Sequence, residues 1–296
     1  MIPKIIHYCW FGGKEKPDSV KECIRSWKKY CPDYEIKEWN ESNFDVHSND
    51  YCYEAYCAKR WAFVADYARL VVLYKFGGIY MDTDVEVVQT FNPLMNHNGF
   101  LCFEDNKHVS IGTFGISAHS PMVSDLLKPY RKRHFRRVDG SLDTTPNLRI
   151  LTKVLVDNYG IKLNGKRQVL SGDILVFPME AFIAKSYLTG WIMKDENTYA
   201  IHHYSATWLD EEGQKRLERQ SYYYKKYLRM LEGVLTKMAM YRAVLDLYGL
   251  EGFTMKVLHH ILKKLGGVDR RFPSFLQFHI GEQHEAAVSL SQEAAA

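Results

Sequence analysis

Two aspartates separated by a single residue, Asp82 and Asp84, are the side chains in this sequence best suited to metal chemistry. They follow residues 79–81, a short apolar run that predicts a buried strand. Side chains at positions i and i+2 of an extended chain point the same way, so both carboxylates would face one site. Hard divalent cations such as Mn²⁺ and Mg²⁺ prefer oxygen ligands. The spacing therefore favours a metal site, with an ordinary solvated acidic turn as the alternative.

A helix precedes the predicted strand and carries two further charged residues. Residues 62–76 are apolar at helical intervals, and Gly77-Gly78 would end the helix because glycine readily adopts positive φ. Asp66 and Arg69 interrupt the apolar pattern three residues apart, so they share a helix face. One interpretation is an ion pair within the helix. The other is a pair that faces a ligand, with Asp66 on a hydroxyl and Arg69 on a phosphate, since a guanidinium suits phosphate oxygens.

Three stretches carry a resemblance to a known family. They read I-P-K-I-I-H-Y-C-W-F-G-G at 2–13, A-D-Y-A-R-L followed by G-G-I-Y-M-D-T-D within 65–84, and I-H-H-Y-S-A-T-W at 201–208. In this order they resemble the blocks of glycosyltransferase family 32, which has a D-x-D signature and includes capsular polysaccharide and yeast mannosyl transferases. The resemblance implies a GT-A-like α/β fold with a mixed central sheet. It also implies a retaining, metal-dependent glycosyltransferase that uses a nucleotide-diphosphate sugar, with a UDP-sugar as the first choice.

The resemblance also implies roles for individual residues. Asp84 and a histidine would hold Mn²⁺, with Mg²⁺ as the alternative, and Asp82 would bind the metal or orient a donor hydroxyl or metal-bound water. His202 is the first choice for the histidine and His203 the alternative, because neighbours on a strand face opposite ways. Arg69 would place positive charge at the phosphates. The further contacts expected with the nucleotide-sugar are Trp10, Phe11, Asp66, Tyr80, Thr83, Thr207 and Trp208.

The amino-terminal part has the pattern of a nucleotide-binding α/β unit. A strand over 4–10 ends in Gly12-Gly13, a helix follows over 17–30, and a second strand covers 34–39. A nucleotide commonly approaches the backbone where the first strand of such a sheet ends. The resemblance places Trp10 against the nucleotide base there, and a core aromatic is the alternative. Farther along, residues 120–137 predict a helix with a basic end, which we interpret as solvated.

Length and composition indicate one large domain with an appended element. The chain has 296 residues, of which 46% are hydrophobic and 25% charged. We predict a catalytic domain over 1–210, a basic amphipathic helical extension over 211–266 and a disordered tail over 267–296. The extension would contact an anionic membrane, or alternatively pack on the catalytic domain or form a homo-oligomer contact.

Cysteine usage and hydropathy predict the cellular location. The chain has six cysteines and no C-x-x-C pair, which argues against a zinc site and a secreted disulfide framework. Neither a signal peptide nor an apolar run of about 18 residues is apparent. We therefore expect a cytoplasmic enzyme, peripheral on the inner face of the cell membrane. The resemblance implies a bacterial role in surface polysaccharide synthesis such as capsule, with a glycan or lipid-linked glycan as the acceptor.

Two other functional classes are compatible with parts of the sequence. A metal-dependent phosphoesterase or nucleotidyl transferase also uses paired acids, although two-metal chemistry usually needs further carboxylates than a D-x-D and a histidine block supply. A nucleic-acid-binding protein could use the basic segments, but no known module or pattern of stacking aromatics accompanies them. We therefore expect no nucleic-acid partner.

Overall fold

The computed structural model describes residues 1–187, 190–205 and 211–248 of this chain. Nine β-strands lie in these residues: β1 (Ile5–Cys9), β2 (Glu35–Trp39), β3 (Gly78–Met81), β4 (Val85–Val87), β5 (Gly99–Cys102), β6 (Thr113–Ile116), β7 (Gln168–Leu170), β8 (Ile174–Phe177) and β9 (Ala200–His202). Seven of them form the main sheet, in the order β2-β1-β3-β6-β5-β8-β7. The other two, β4 and β9, pair with each other.

The main sheet is mixed. Strand β1 pairs in parallel with β2 and β3, β6 lies antiparallel between β3 and β5, β8 is parallel to β5, and β7 is antiparallel to β8. The α/β fold with a mixed central sheet predicted from the sequence is confirmed. Because β1, β2 and β3 are parallel neighbours, their carboxyl ends meet at one edge of the sheet.

The described part of the chain also contains six α-helices: α1 (Asp18–Tyr30), α2 (Asp50–Cys57), α3 (Trp61–Phe76), α4 (Pro121–Leu127), α5 (Asn147–Tyr159) and α6 (Glu211–Tyr248). The helix predicted over 120–137 was wrong in its extent. It ends at Leu127, and the chain continues as a short 3-10 turn over Lys128–Arg131. Pro129 accounts for the break, because proline cannot donate the backbone hydrogen bond that an α-helix requires.

The core lies on both faces of the sheet. Helix α3 is apolar on all sides and buries Val64, Leu70 and Leu73 in one cluster, as expected for a helix enclosed by the protein. Helix α1 contributes Trp27 to the other cluster, where the indole N–H donates to the carbonyl of Val85 at 2.7 Å. This hydrogen bond ties α1 to β4, the strand that follows the two aspartates.

A turn of two glycines joins α3 to β3. Gly77 and Gly78 have φ values of +64° and +101°, and a Cβ on Gly78 would lie 2.6 Å from the carbonyl oxygen of Ile5. His7, on β1, contacts the carbonyl of Gly77 through Nε2 at 2.8 Å and accepts from the Trp39 indole at Nδ1 at 3.0 Å. Burial lowers the pKa of His7 to about 4. A neutral imidazole with its proton on Nε2 therefore supports this turn.

The β4–β9 ribbon connects distant parts of the chain. Its antiparallel register pairs Val85 with His202, Glu86 with Ile201 and Val87 with Ala200. This pairing therefore brings the start of the third block, residues 201–208, beside the D-x-D segment.

The chain divides into two compact units, Met1–Tyr224 and Lys225–Ala296. The functional division at residue 210 stays a prediction, and the tail predicted over 267–296 lies outside the described residues. Within the described part, no helix combines the length and apolarity needed to cross a membrane.

Candidate active site

The two aspartates lie at the edge of the sheet where β1, β2 and β3 end. Asp82 comes directly after β3, and its backbone N–H donates to the carbonyl of Gly112 at 2.8 Å. The carbonyl of Asp82 accepts from the N–H of Val85 at 3.1 Å. This bond closes a turn over residues 82–85, so Asp82 and Asp84 project from a bend rather than from a straight strand.

Helix α3 and strand β3 hold Asp82. Its Oδ1 lies 3.2 Å from Arg69 Nη2 and accepts from the Tyr80 hydroxyl at 3.2 Å. The same Nη2 lies 3.0 Å from Asp66 Oδ1, and the guanidinium stacks over the Tyr80 ring. The Asp66–Arg69 pair is thus an ion pair within the helix, the first of the two interpretations, and Arg69 also contacts Asp82.

The Arg69 guanidinium is surrounded by protein atoms. It is only 4% exposed, and its Nε and Nη1 donate to the backbone carbonyls of Ala65 and Ile111. In this arrangement Arg69 aligns Asp82, and its contact with a phosphate stays a prediction. Tyr80, predicted to touch the nucleotide-sugar, is 1% exposed and likewise acts on Asp82. Burial of the α3 face against β3 explains why both side chains are enclosed by protein atoms.

Residues 202–205 hold Asp84. Its Oδ2 accepts from both the backbone N–H and the hydroxyl of Ser205, each at 2.7 Å, while Oδ1 lies 3.2 Å from His202 Nε2. His203, the alternative metal ligand, faces the other way, and its Nε2 meets Glu86 Oε2 at 2.9 Å. Of the two imidazole rings, only that of His202 contacts the Asp84 carboxylate, in keeping with the alternation of side chains on a strand.

Asp82, Asp84 and His202 converge as a set of candidate metal ligands. One atom from each lies within 4.8 Å of the atoms from the other two, which is the only such group of ligating side chains in the described residues. Asp82 uses Oδ1 for protein contacts, and its Oδ2 lies on the side of Gly112 and the His202 ring. A Cβ on Gly112 would be 3.0 Å from that Oδ2 and 3.2 Å from the ring. Two carboxylates and an imidazole suit Mn²⁺ or Mg²⁺.

The charged groups of the cluster have shifted pKa values. Burial raises the pKa of Asp66 to about 6 and also raises that of Asp82, in both cases against the opposing effect of Arg69. Burial would raise the pKa of Asp84 too, but hydrogen bonds with His202 and Ser205 outweigh it and hold that pKa well below its usual range. Burial opposes the charged form of His202, yet Asp84 raises its pKa to about 9. Asp84 is thus ionised in the folded protein, where it pairs with His202.

An aromatic contact covers the other side of the His202 ring. Tyr204 stacks on it with ring centroids 4.3 Å apart, and the Tyr204 hydroxyl donates to Glu104 at 2.7 Å. Tyr204 has a φ of +57°, which is uncommon for a residue with a side chain. This backbone reversal lets Ser205 turn back to Asp84. Four residues of this site were not predicted from the sequence: Ser205, Tyr204, Glu104 and Gly112. Of these, Ser205 and Tyr204 lie within the family-like block at 201–208.

An open cleft of about 700 Å³ lies at the end of β1. It is lined by Gly12, Gly13, Lys14, Glu41, Tyr56, Lys59 and Trp61. Gly12 has a φ of +90°, and a Cβ there would lie 2.6 Å from the Trp61 indole. Trp61 begins α3, so it lies roughly 12 Å along the helix axis from Arg69. The cleft and the aspartate cluster are therefore joined by one helix.

The other predicted contacts have separate outcomes. Trp10 does not line the cleft; its indole N–H donates to the carbonyl of Lys14 at 2.6 Å. Phe11 is 6% exposed and packs against Phe44, so it belongs to the core. Thr83 is partly exposed between the two aspartates. Thr207 and Trp208 lie outside the described residues.

The fold and the site together define an α/β protein with a cleft at the end of β1 and a candidate cation site at the end of β3. Residues 17–101 match the family described as "Glycosyltransferase sugar-binding region containing DXD motif". The resemblance to glycosyltransferase family 32 is thereby confirmed for this stretch, which contains Asp82 and Asp84.

Curated relatives match part of this chain. The inositol phosphoceramide mannosyltransferase 3 of Schizosaccharomyces pombe is 30% identical over 133 residues, which is 43% of this chain and 36% of the relative. The human alpha-1,4-N-acetylglucosaminyltransferase is 30% identical over 84 residues, or 28% of this chain and 24% of the relative. The chain thus spans about a third or less of the length of these two proteins.

Solved structures show partial likeness. The PaToxG glycosyltransferase gives a TM-score of 0.40 at 19% identity, covering 53% of this chain and 69% of that chain. A galactosyltransferase in complex with donor and acceptor sugar analogues gives a TM-score of 0.36 at 12% identity, covering 73% and 95%.

Proposed function

We propose that this protein is a metal-dependent glycosyltransferase that moves a sugar from a nucleotide-diphosphate donor, a UDP-sugar as first choice, with retention of anomeric configuration. The observation that carries the proposal is the convergence of Asp82, Asp84 and His202 at the carboxyl end of β3. Support comes also from the sugar-binding family matched over residues 17–101, which contains the two aspartates.

Asp82, Asp84 and His202 would hold the cation, with Mn²⁺ as the first choice and Mg²⁺ as the alternative. When bound, such a cation supplies positive charge that stabilises the diphosphate of the departing nucleotide. The surrounding residues hold the two carboxylates in position. Arg69 and Tyr80 fix Asp82 by one oxygen, and Ser205 fixes Asp84 in the same way, so each carboxylate keeps its second oxygen toward the cluster.

The cleft beside Trp61 is the proposed place for the nucleoside. The exposed ring of an aromatic residue can stack on a base, and Lys14 and Lys59 at the same cleft provide positive charge for an anionic donor. Gly12 packs against the Trp61 indole, and a Cβ at this position would lie 2.6 Å from the ring. A donor lying along the amino-terminal half of α3 would reach from this cleft to the aspartates.

The acceptor in this proposal is a glycan or a lipid-linked glycan used in surface polysaccharide synthesis. One of the matched relatives is a mannosyltransferase named for inositol phosphoceramide, a lipid, which supports a lipid-linked acceptor. We place the activity in the cytoplasm, at the inner face of the cell membrane. The basic helical extension would contact the anionic membrane or, alternatively, form a homo-oligomer contact.

The test is hydrolysis of a panel of UDP- and GDP-sugars by the full chain, with Mn²⁺, with Mg²⁺ and with EDTA. We expect one donor to release its nucleoside diphosphate only when a divalent cation is present. A Trp61→Ala variant should raise KM for that donor more than it lowers kcat, because the indole contributes binding rather than chemistry. Proton NMR of the first product would report the anomeric configuration.

The panel also separates the proposal from its rival. Release of inorganic phosphate or pyrophosphate instead of a nucleoside diphosphate would indicate a phosphoesterase or nucleotidyl transferase and would contradict the proposal. A folded protein that turns over no donor in the presence of either cation would contradict it as well.

A further inference from the structure

An exposed apolar segment lies next to the candidate active site. Residues 185–187 run antiparallel to residues 190–193, and we call these two stretches the apolar ribbon. Lys185 pairs with Ile192, the Ser186 N–H donates to the Trp191 carbonyl at 2.9 Å, and the Met193 N–H donates to the Ala184 carbonyl at 2.7 Å. The ribbon is thus a defined backbone structure that carries large apolar side chains.

The ribbon exposes apolar side chains on both of its faces. Trp191, Ile192 and Met193 are 53%, 52% and 49% exposed. Successive side chains of an extended strand point in opposite directions, so Trp191 and Met193 share one face and Ile192 lies on the other. A protein partner that docked on one face would leave the other in water. A hydrocarbon medium covers both faces at once, which favours a lipid layer as the occupant.

Charge at the base of the ribbon complements the headgroups of such a layer. Between residues 185 and 194 the charged residues are Lys185 and Lys194, one on each strand. Lys185 Nζ donates to the His203 carbonyl at 3.1 Å, and Lys194 is exposed. Asp195, which accepts from the Asn197 N–H within its own turn, and Glu196 come next in the chain. An exposed amine beside exposed apolar side chains, as at Lys194, is the arrangement that interfacial segments use with phospholipids.

The ribbon is joined to the cluster by stacked aromatic rings. The Tyr187 ring packs edge-on against Tyr204 with centroids 5.1 Å apart, and Tyr204 stacks on His202 at 4.3 Å. Tyrosine and tryptophan are enriched where hydrocarbon meets headgroups. A lipid surface seated on the ribbon would therefore be separated from His202 by two aromatic rings.

We propose that the apolar ribbon is a membrane-contact surface that inserts into the interfacial layer of a phospholipid bilayer. Insertion turns the Asp82–Asp84–His202 side of the domain toward the headgroups. This surface is distinct from the basic helical extension, which would bind through charge. Binding by the ribbon depends on apolar area, so it persists on neutral lipid and at high salt, where charge-driven binding fades.

The experiment is flotation of the full chain with vesicles of pure phosphatidylcholine and with vesicles that also contain phosphatidylglycerol, at low and high salt. A Trp191→Ser/Ile192→Ser variant tests the ribbon. The matched control is Val138→Ser/Val169→Ser, which removes apolar side chains that are 109% and 62% exposed elsewhere. A Lys225→Gln/Lys226→Gln variant tests the helical extension. Donor hydrolysis and thermal melting establish that each variant is folded.

We expect the wild-type chain to float with pure phosphatidylcholine and the ribbon variant to partition at least about tenfold more weakly, because it loses two apolar insertions. The valine control and the lysine variant should float like the wild type on neutral lipid. Equal flotation of the ribbon variant and the wild type would overturn the proposal. So would binding that requires phosphatidylglycerol and disappears at high salt, since the basic extension would then be responsible.

Discussion

Asp82 and Asp84 are separated by one residue, yet the protein holds them in different ways. Asp82 is fixed by α3 and β3, the two elements directly before it in the chain, through a buried guanidinium and a tyrosine hydroxyl. Asp84 is fixed by Ser205, which lies 121 residues away in the sequence. One half of the cluster is thus part of the core, and the other half forms only when β9 pairs with β4.

The largest expected effect comes from a change at Arg69, which lies in the buried half of the cluster beside Asp82. Arg69→Met removes the positive charge between Asp66 and Asp82 while keeping an apolar stem of similar length. Two carboxylates would then share a buried region without a counter-charge, and the loss of one partner of a buried ion pair costs about 3–5 kcal/mol. Urea denaturation should show a loss of that size in the free energy of unfolding.

The control for this change is Arg25→Met. Arg25 pairs with Glu22 at 3.4 Å, but the two side chains are 64% and 70% exposed. Water already screens that pair, so stability should hardly change. If the two variants were equally stable, Arg69 would not be the centre of a buried network.

The next largest effect comes from a change at Asp84, the aspartate whose surroundings are completed when β9 pairs with β4. Asp84→Asn removes a charged ligand but keeps the side-chain shape, so the fold should survive. Donor turnover should fall more than about 100-fold. Loss of a residue that only hydrogen-bonds a metal ligand already costs up to about 100-fold, and Asp84 is itself a proposed ligand. Glu86→Gln is the matched control, because Glu86 makes the corresponding contact with His203 outside the cluster. Loss of activity in both variants alike would contradict the distinction between His202 and His203.

A third prediction concerns the pH dependence of the scaffold that carries Asp82. The pKa of His7 falls from an ordinary value of 6.5 to about 4 in the folded protein because the ring is buried. The unfolded chain therefore takes up a proton at higher pH than the folded one. The stabilisation is complete above pH 6.5 and is lost as pH falls toward 4. Between pH 7.5 and pH 5 the loss should be about 2 kcal/mol from this residue.

His7→Gln isolates that contribution. Glutamine can accept from the Trp39 indole and donate to the Gly77 carbonyl, but it does not titrate. Chemical denaturation of both proteins at pH 7.5 and pH 5 should show a smaller pH dependence in the variant. A pH dependence that is unchanged by the substitution would mean that other groups account for the acid sensitivity.

The smallest expected effect concerns the hydroxyl groups that donate to the two aspartates, those of Ser205 and Tyr80. Ser205→Ala removes one of two hydrogen bonds to Asp84 Oδ2, and Tyr80→Phe removes a bond to Asp82 Oδ1 that Arg69 backs up. We expect Ser205→Ala to weaken Mn²⁺ affinity about tenfold. Tyr80→Phe should weaken it less, because a buried guanidinium remains. Titration of Mn²⁺ followed by electron paramagnetic resonance would give both values, and a greater loss in Tyr80→Phe would reverse the comparison.

Local patterns in the sequence predicted the half of the site that is built from neighbouring residues. Helical periodicity, the Gly77-Gly78 stop and the short apolar run gave α3 and β3 within about two residues, as expected for signals that depend on nearby positions. The spacing of Asp66 and Arg69 also placed them on one helix face. What it could not predict was the orientation of Arg69 toward the core, because burial is set by β3 and by the carbonyl of Ile111.

The other half required long-range information. Alternation along β9 separated His202 from His203, but it did not say which of them would face Asp84, since that depends on the register with β4. Gly112 carried no recognisable signal, because the need for a missing side chain arises from the crowding around Asp82 and His202. Trp10 was predicted to face the nucleotide, whereas Trp61 is the tryptophan that lines the cleft. Both are aromatic and near the end of β1, and only the packing of α3 decides which one faces the cleft.

The pairing of β4 with β9 also sets the order in which the site can form during synthesis. All seven strands of the main sheet have been made once the chain reaches Phe177, whereas the site needs residues as late as Ser205. A nascent chain can therefore build its sheet and bury Arg69 while Asp84 still has no partner. The arrangement proposed to bind a cation is therefore completed late and separately, after the main sheet that supports it has formed.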